Sequence, residues 1–277
     1  MSTQMDWAKY LTTGVGPARP MWIGGNWKCN GTRDQLAKIV DTLNSAGTFS
    51  RNSEVVIACP ALHLMSTAEA LRKDISVGAE DVGLNGMGAY TGEHSAAMLK
   101  DAGVKWTLTG HSERRVGFGG PGETSETVAA KTVMALKSGL SVAVCIGESL
   151  AEREANKTLD VCIEQLKPVC ANLTANDWRR IVIAYEPVWA IGTGKVATPA
   201  QAEETQAEIR RWLASAVGND IATDVRIVYG GSVKGGNCAE LIKCPNIDGF
   251  LVGGASLLPD FVKIINSTAS ALVTKQM

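Results

Sequence analysis

The sequence predicts an α/β fold, a single closed (β/α)8 barrel around a parallel eight-stranded core. Short apolar runs alternate with longer amphipathic segments, a pattern typical of parallel strands joined by helices. Eight such units fit within about 250 residues, the usual size of a closed barrel. A doubly wound open sheet is the alternative. It would need a GxGxxG turn after the first strand, and the segment at 24–28 lacks that spacing.

The individual elements follow from these alternating patterns. Strands are predicted at 21–26, 55–59, 75–80, 106–109, 142–146, 181–185, 225–229 and 249–252. Helices are predicted at 35–46, 66–73, 95–101, 125–138, 152–170, 199–217, 238–243 and 260–272. We find no internal repeat or linker. We therefore expect a flexible N-terminal extension over residues 1–19 and one barrel domain over residues 20–277.

Composition excludes several classes of protein. The net charge of -1 argues against a nucleic-acid partner, and no apolar run reaches the roughly 18 residues of a transmembrane helix. Residues 1–19 lack the apolar centre of a secretory signal. The seven cysteines form no CxxC pair, which favours reduced thiols and a cytoplasmic location. With three histidines and no ligand spacing, we predict no metal site.

Reactive side chains stand where predicted strands end, and in a parallel barrel these ends meet on one face. The first strand leads to Asn26 and Lys28, the fourth to His111 and Glu113, and the sixth to Glu186. The seventh and eighth end in glycine turns at 230–232 and 253–254. One carboxylate, one imidazole and one ammonium beside such turns indicate proton abstraction next to a carbonyl.

A movable cover is predicted directly after Glu186. A Pro-Val-Trp segment and a glycine-rich loop follow it, and glycines let a loop change conformation at little cost. Closure would exclude water from the carboxylate. The predicted lid residues are Pro187, Val188, Trp189, Ala190, Ile191, Thr193, Gly194 and Lys195.

Five motifs in order give the chain a family resemblance. They are Gly-Asn-Trp-Lys at 25–28, Gly-His-Ser-Glu-Arg-Arg at 110–115, Tyr-Glu-Pro-Val-Trp-Ala-Ile-Gly-Thr-Gly at 185–194, Tyr-Gly-Gly-Ser at 229–232 and Gly-Phe-Leu-Val-Gly-Gly-Ala-Ser-Leu at 249–257. From residue 21 onward the chain resembles the triosephosphate isomerases, which are TIM barrels. The resemblance implies interconversion of dihydroxyacetone phosphate and glyceraldehyde 3-phosphate through an enediolate, without a cofactor, in glycolysis and gluconeogenesis.

The resemblance also implies a role for each strand-end residue; the family is itself a standard example of pKa tuning. Glu186 is the base, and His111 is a neutral imidazole that donates to the developing oxyanion. Lys28 supplies positive charge, and Asn26 hydrogen-bonds a substrate oxygen. Glu113 holds Lys28 in an ion pair, with direct proton transfer as the alternative.

By the same resemblance, backbone N–H groups rather than an arginine cluster bind the substrate phosphate. A P-loop at Gly194-Lys195 is rejected, because Val196 stands where Ser or Thr is required. The implied phosphate-binding residues are Gly192, Ser232, Gly253 and Gly254.

The resemblance implies a homodimer in which Thr91 meets the partner's active site and Cys29 and Glu80 lie at the interface. Glu80 and Asp81 depart from the Gln-Asn usual in the family. A carboxylate in a buried interface costs desolvation unless it is paired or protonated. We therefore expect Glu80 to weaken the dimer as pH rises; a solvated Glu80 is the alternative.

Three rival functions remain to be weighed. A Schiff-base aldolase would need a lysine inside a strand, whereas Lys28 lies beyond one. An epimerase that uses a metal would need ligands that the sequence lacks. A non-catalytic binding protein could keep the fold, but it would be free to lose Glu186, His111 or Lys28, and all three are present.

Overall fold

The computed structural model describes residues 19–191 and 197–275, with side chains up to residue 269. Eight parallel strands close into a barrel in chain order, and the last strand pairs with the first. The predicted fold class is confirmed. The strands are β1 (Met21–Asn26), β2 (Ser53–Cys59), β3 (Ile75–Ala79), β4 (Trp106–Thr109), β5 (Ser141–Ile146), β6 (Ile181–Tyr185), β7 (Arg226–Tyr229) and β8 (Gly249–Val252).

Helices connect the strands on the outside of the barrel. Two of them begin with capping boxes at Thr32 and Thr198. Each threonine hydroxyl accepts from the backbone N–H of the glutamine three residues later, and that glutamine side chain accepts from the threonine backbone N–H. The helices are α1 (Arg33–Ser45), α2 (Leu64–Ala70), α3 (Ala96–Asp101), α4 (Ser112–Val116), α5 (Ser125–Lys137), α6 (Leu150–Glu154), α7 (Thr158–Asn172), α8 (Pro199–Val217), α9 (Asn219–Asp224), α10 (Cys238–Leu241) and α11 (Asp260–Lys275). Short 3-10 turns lie at Ala61–His63, Asp177–Arg180, Val188–Ala190 and Gly254–Leu257.

The single helix predicted over 152–170 is wrong. A capping box at Ser149 starts α6 earlier, and Asn156 then takes a left-handed φ of 57° that stops the helix before α7 begins. Asparagine tolerates that conformation, so the break is local chemistry that apolar periodicity does not register. The helices α4 and α9 were likewise too short to produce a periodic pattern.

Strand residues are buried on both faces, which explains their nearly continuous apolar runs. One set fills the barrel interior, including Trp22, Leu108, Val182 and Leu251. The alternate set packs outward against the helices in a second, larger cluster. Because both layers are packed, the carboxyl ends of the strands are held in fixed positions around one rim.

A buried carboxylate fixes the point where the chain enters the barrel. Asp248, just before β8, pairs with Arg19 through Oδ1 at 2.7 Å and with Arg210 through Oδ2 at 2.6 Å. Arg19 therefore contacts the barrel. The remainder of the predicted extension, residues 1–18, lies outside the described residues.

Candidate active site

One cavity of about 580 Å³ opens at the carboxyl ends of the strands. It brings together most of the site residues predicted from the strand ends, namely Asn26, Lys28, His111, Glu186, Ile191, Ser232, Gly253 and Gly254. The predicted residues Gly192, Thr193, Gly194 and Lys195 lie outside the described residues. The cavity thus joins the carboxylate, the imidazole and the ammonium to both glycine turns.

Glu186 follows β6 directly and is only 2% exposed. Its Oε1 lies 3.3 Å from His111 Nε2, whereas its Oε2 is buried without a hydrogen-bond partner among the described residues. Burial raises the pKa of Glu186, against the opposing charges of His111 and Lys28. A side chain at Gly230 would place its Cβ 2.6 Å from Glu186 Cγ, so glycine is what leaves room for the carboxylate.

His111 is held in one tautomer by the helix that follows it. It is the N-cap of α4, where its Nδ1 accepts from the backbone N–H of Glu113 at 3.3 Å. With Nδ1 as an acceptor, we infer that the neutral ring carries its proton on Nε2. That proton points toward Glu186 and the cavity. The imidazole can therefore donate a hydrogen bond beside the base.

The backbone conformation of Lys28 sets the direction of its side chain. Its φ of 53° is left-handed, a conformation that costs a residue with a Cβ about 1–2 kcal/mol. Its Nζ lies 2.6 Å from Glu113 Oε1, so the predicted ion pair is present. Its backbone N–H donates to Asn26 Oδ1 at 3.0 Å, which leaves the Asn26 amide nitrogen to donate into the cavity. Glu113 does not line that cavity.

The start of the predicted lid is tied down on two sides. Pro187 leads into the 3-10 turn Val188–Ala190, and the backbone N–H of Val188 donates to the Glu148 carbonyl at 3.0 Å. Ser232 Oγ donates to the Ala190 carbonyl at 3.0 Å. The described part of the lid is therefore joined to the ends of both β5 and β7.

Glu148 is the main residue that the sequence analysis missed. It is fully buried, and its carboxylate accepts from Tyr185 Oη at 3.1 Å, Trp189 Nε1 at 2.9 Å and Arg153 Nη1 at 3.2 Å. The signal was available, because Glu148 lies two residues after the end of β5, in the segment that leads away from the rim. Reading the end of every predicted strand would have found it.

Two of the predicted interface residues line a neighbouring cavity of about 240 Å³. Cys29 and Glu80 face it together with Glu113 and the 75% exposed Phe118. Thr91 is exposed on the loop before α3 and lines neither cavity. The barrel therefore carries the predicted interface residues on the same rim as the site.

The two adjacent acids of this rim have different environments. Asp81 is paired with Lys131 at 2.7 Å and with Arg114 at 2.9 Å. Glu80 forms no ion pair in the described part of the chain, although each acid keeps one buried oxygen, Glu80 Oε1 and Asp81 Oδ1, without a hydrogen-bond partner there. Burial raises the pKa of Glu80 from 4.5 to about 8, although the Lys28 backbone and charge oppose the shift.

The described residues contain neither a cluster of metal ligands nor a membrane-spanning helix. Within residues 19–191 and 197–275, no three His, Cys, Asp or Glu side chains are grouped so that they could hold a metal ion. No helix in the same ranges is long and apolar enough to cross a membrane.

Comparison with known proteins identifies close relatives. Residues 21–268 match the profile of the family described as triosephosphate isomerase. The chain is 51% identical to the chloroplastic triosephosphate isomerase of Secale cereale, over 91% of the chain and 83% of the relative. It is 49% identical to the triosephosphate isomerase of Emericella nidulans, over 90% and 98% of the two lengths. It is also 49% identical to the cytosolic triosephosphate isomerase of Oryza sativa subsp. japonica, over 90% and 97%.

Proposed function

The chain belongs to the triosephosphate isomerase family, and on that premise we propose that Glu186 moves the proton between the two carbons of the substrate. The protein is an isomerase of the glycolytic trioses dihydroxyacetone phosphate and glyceraldehyde 3-phosphate. The observation that carries the assignment is the pair of Glu186 and His111 in the cavity. Oε1 of the buried Glu186 carboxylate lies 3.3 Å from His111 Nε2, and Oε2 has no hydrogen-bond partner among the described residues.

The reaction then proceeds by one proton transfer at each carbon and the passage of a proton between the two oxygens. The Glu186 carboxylate removes the proton from C1 of the ketose, and the electron pair moves to the carbonyl oxygen to give an enediolate. His111 donates from Nε2 to that oxygen, in place of its contact with Glu186 Oε1. The carboxylic acid returns the proton to C2. The hydroxyl proton passes between the two oxygens through His111, so the product is an isomer and nothing else is consumed.

Charge and backbone donors would hold the substrate during these steps. We assign Lys28 to the negative charge of the phosphate and enediolate, and Asn26 to a substrate oxygen through its amide nitrogen. The phosphate would bind backbone N–H groups, since the glycine turns border the same cavity as Lys28. The groups we assign to it are those of Gly192, Ser232, Gly253 and Gly254. Closure of the lid at 187–195 would exclude water and strengthen these interactions.

Turnover of glyceraldehyde 3-phosphate by the native protein tests the assignment, with a chelator present and Glu186→Asp as the variant. Shortening the side chain withdraws the carboxylate by about 1 Å, which can cost 10²-fold or more. Native turnover with such a loss in kcat supports the base. Undiminished activity in the variant would refute it. No turnover by the folded native protein would instead favour another phosphosugar substrate or a binding role.

We also propose that the enzyme is a homodimer through the rim that carries Cys29, Glu80 and Thr91. Support comes from apolar side chains left exposed on this rim, namely Met65 at 64% in α2 and Met87 and Phe118 at 75% each on loops. Light scattering of the native protein should give twice the chain mass, and Met87→Glu should reduce it to the monomer. An exposed control, Leu150→Glu, should leave the dimer intact. A native monomer would contradict the proposal.

We propose a cytoplasmic location and one catalytic domain over residues 20–277. The relatives include both chloroplastic and cytosolic forms, so family membership alone does not decide the compartment. The pattern of reduced cysteines supports the cytoplasm. Fractionation of cells expressing the full chain tests the location, and recovery of the protein with plastids would contradict it.

A further inference from the structure

Arg115 joins the ends of two barrel strands beneath the candidate active site. It lies in α4, four residues after His111. Its Nε donates to the Gly110 carbonyl at 2.8 Å and its Nη2 to the Cys145 carbonyl at 3.0 Å. Gly110 immediately precedes His111, and Cys145 lies in β5. One planar guanidinium therefore fixes the turn that carries the imidazole against the neighbouring strand.

The charge of this arginine is left without an acidic partner. Among the described residues, no carboxylate oxygen lies within 4.0 Å of the Arg115 guanidinium, whose third contact is Ser125 Oγ at 3.3 Å. The adjacent Arg114 differs, because it pairs with both Asp81 and Glu123. Burial lowers the pKa of Arg115 and the charge of Glu186 opposes that shift. The group remains a cation at neutral pH.

The glycine before His111 is fitted to this arginine. Gly110 has a left-handed φ of 67°, and a Cβ there would lie 2.8 Å from Arg115 Nη2. A residue with a side chain would both strain the turn and displace the guanidinium. The local sequence thus preserves the contact, although Arg115 does not line the substrate cavity.

We propose that Arg115 is a positioning residue for the isomerase reaction, which holds the turn before His111, and with it the imidazole, in register with β5. The inference rests on the proposed function, because it assigns a role toward the pair of His111 and Glu186. The fixed turn presents the hydrogen-bond donor that the enediolate needs.

Other charged or titratable groups face the same pair and limit the size of the effect. Those acting on Glu186 are His111 from the end of β4, Lys28 from the end of β1, and Glu113 from α4. Cys145 of β5 is also coupled to Glu186. Those facing Arg115, besides Glu186, are Glu123, Cys145 and Cys162. Lys28 and His111 remain in any Arg115 variant, so we expect a moderate change rather than complete inactivation.

The test compares Arg115→Met, which removes the charge and both hydrogen bonds to the main-chain carbonyls, with Arg115→Lys, which keeps the charge but not the guanidinium. Arg180→Met is the matched control, because Arg180 also binds main-chain carbonyls, those of Leu136 and Leu140, away from the site. We expect Arg115→Met to lower kcat by about 10- to 100-fold with little change in KM. The acidic limb of its kcat/KM profile should keep its native position, because the charges that act on Glu186, those of His111, Lys28 and Glu113, are unchanged.

Arg115→Lys, which can still donate to one of the two carbonyls, should lower kcat less, and Arg180→Met should leave kcat unchanged. An unchanged kcat in Arg115→Met, or a loss that appears in KM rather than in kcat, would overturn the inference. Should Arg115→Met not fold, Arg115→Lys decides, because an unchanged kcat there overturns the geometric role. Failure of the proposed function is distinguishable, since the native protein would then not isomerise the triose at all.

Discussion

Glu148 and Glu186 lie just beyond two neighbouring strands and differ in the number of donors around them. Glu148 is the second residue after β5 and Glu186 the first after β6, and each is at most 2% exposed. Glu148 accepts from a tyrosine, a tryptophan and an arginine. Glu186 is contacted by the His111 imidazole and by the backbone of Ser112, and its Oε2 has no hydrogen-bond partner among the described residues. Burial is therefore common to both carboxylates, whereas hydrogen bonding distinguishes them.

The difference separates a structural acid from a reactive one. The two carboxylate oxygens of Glu148 are already occupied by protein donors, so neither is free to face a substrate. A buried carboxylate with a bare oxygen is a stronger base, because desolvation raises its pKa. The barrel thus builds an anchor for the lid and a base for chemistry from the same residue type, one strand apart.

The largest expected effect comes from removing the reactive acid. Glu186→Gln keeps the shape of the side chain but cannot accept a proton, so kcat should fall by about 10²- to 10⁴-fold. Steady-state turnover of glyceraldehyde 3-phosphate measures it. A loss smaller than about tenfold would mean that another group is the base and that the bare oxygen has no chemical role.

A smaller loss should follow from displacing the base without changing it. Gly230→Ala would place a methyl group 2.6 Å from Glu186 Cγ and push the carboxylate from its position. A displacement of about 1 Å can cost 10²-fold in kcat. Gly236→Ala is the control, since a Cβ at Gly236 meets nothing within 4 Å. Equal kinetics in the two variants would show that the site tolerates a displaced carboxylate.

Replacing Glu148, whose carboxylate is fully hydrogen-bonded by the protein, should affect stability more than turnover. Glu148→Gln turns an amide NH2 toward the donors of Tyr185, Trp189 and Arg153, and an unsatisfied buried group costs about 1–3 kcal/mol of unfolding free energy. We expect kcat to change by less than about tenfold. Denaturant unfolding beside turnover checks both values, with the exposed Glu164→Gln as a control. A loss of activity as large as that of Glu186→Gln would remove the distinction between the two acids.

The smallest expected effect concerns the half-buried Glu80 and depends on pH. Its pKa is raised from 4.5 to about 8, so folding favours its protonated form. The stability this provides is complete below pH 4.5 and is lost as pH rises through about 8. Glu80→Gln cannot ionise. Its advantage over the native protein should therefore grow by about 1–2 kcal/mol from pH 5 to pH 8, after allowance for solvent screening.

Unfolding of the native and Glu80→Gln proteins at both pH values measures this difference. Glu240→Gln, which removes an exposed ion-pairing carboxylate, should give the same result at either pH. An advantage of Glu80→Gln that does not change between pH 5 and pH 8 would mean that Glu80 is ionised in the folded protein throughout this range, as the solvated alternative requires.

The sequence predicted the barrel and most of the cavity because both depend on regular patterns. Apolar runs identified the strands, and the residues just beyond them, such as Asn26 and Glu186, had to meet on one rim. The missed features depend on contacts between elements distant in sequence. Arg115 binds the carbonyl of Gly110, just after β4, and that of Cys145 in β5. Glu148 is defined by donors from α6, β6 and the lid. The left-handed Asn156 that separates α6 from α7 is equally invisible to periodicity.

The most direct test of the account is proton exchange with solvent during turnover in D₂O. A proton held on the Glu186 carboxyl between the two transfers exchanges with solvent, so the product should carry deuterium on the carbon that is protonated. The account predicts that Glu148→Gln retains this incorporation and that Glu186→Gln loses it together with turnover. Incorporation that persists in Glu186→Gln and disappears in Glu148→Gln would contradict the assignment of the two acids.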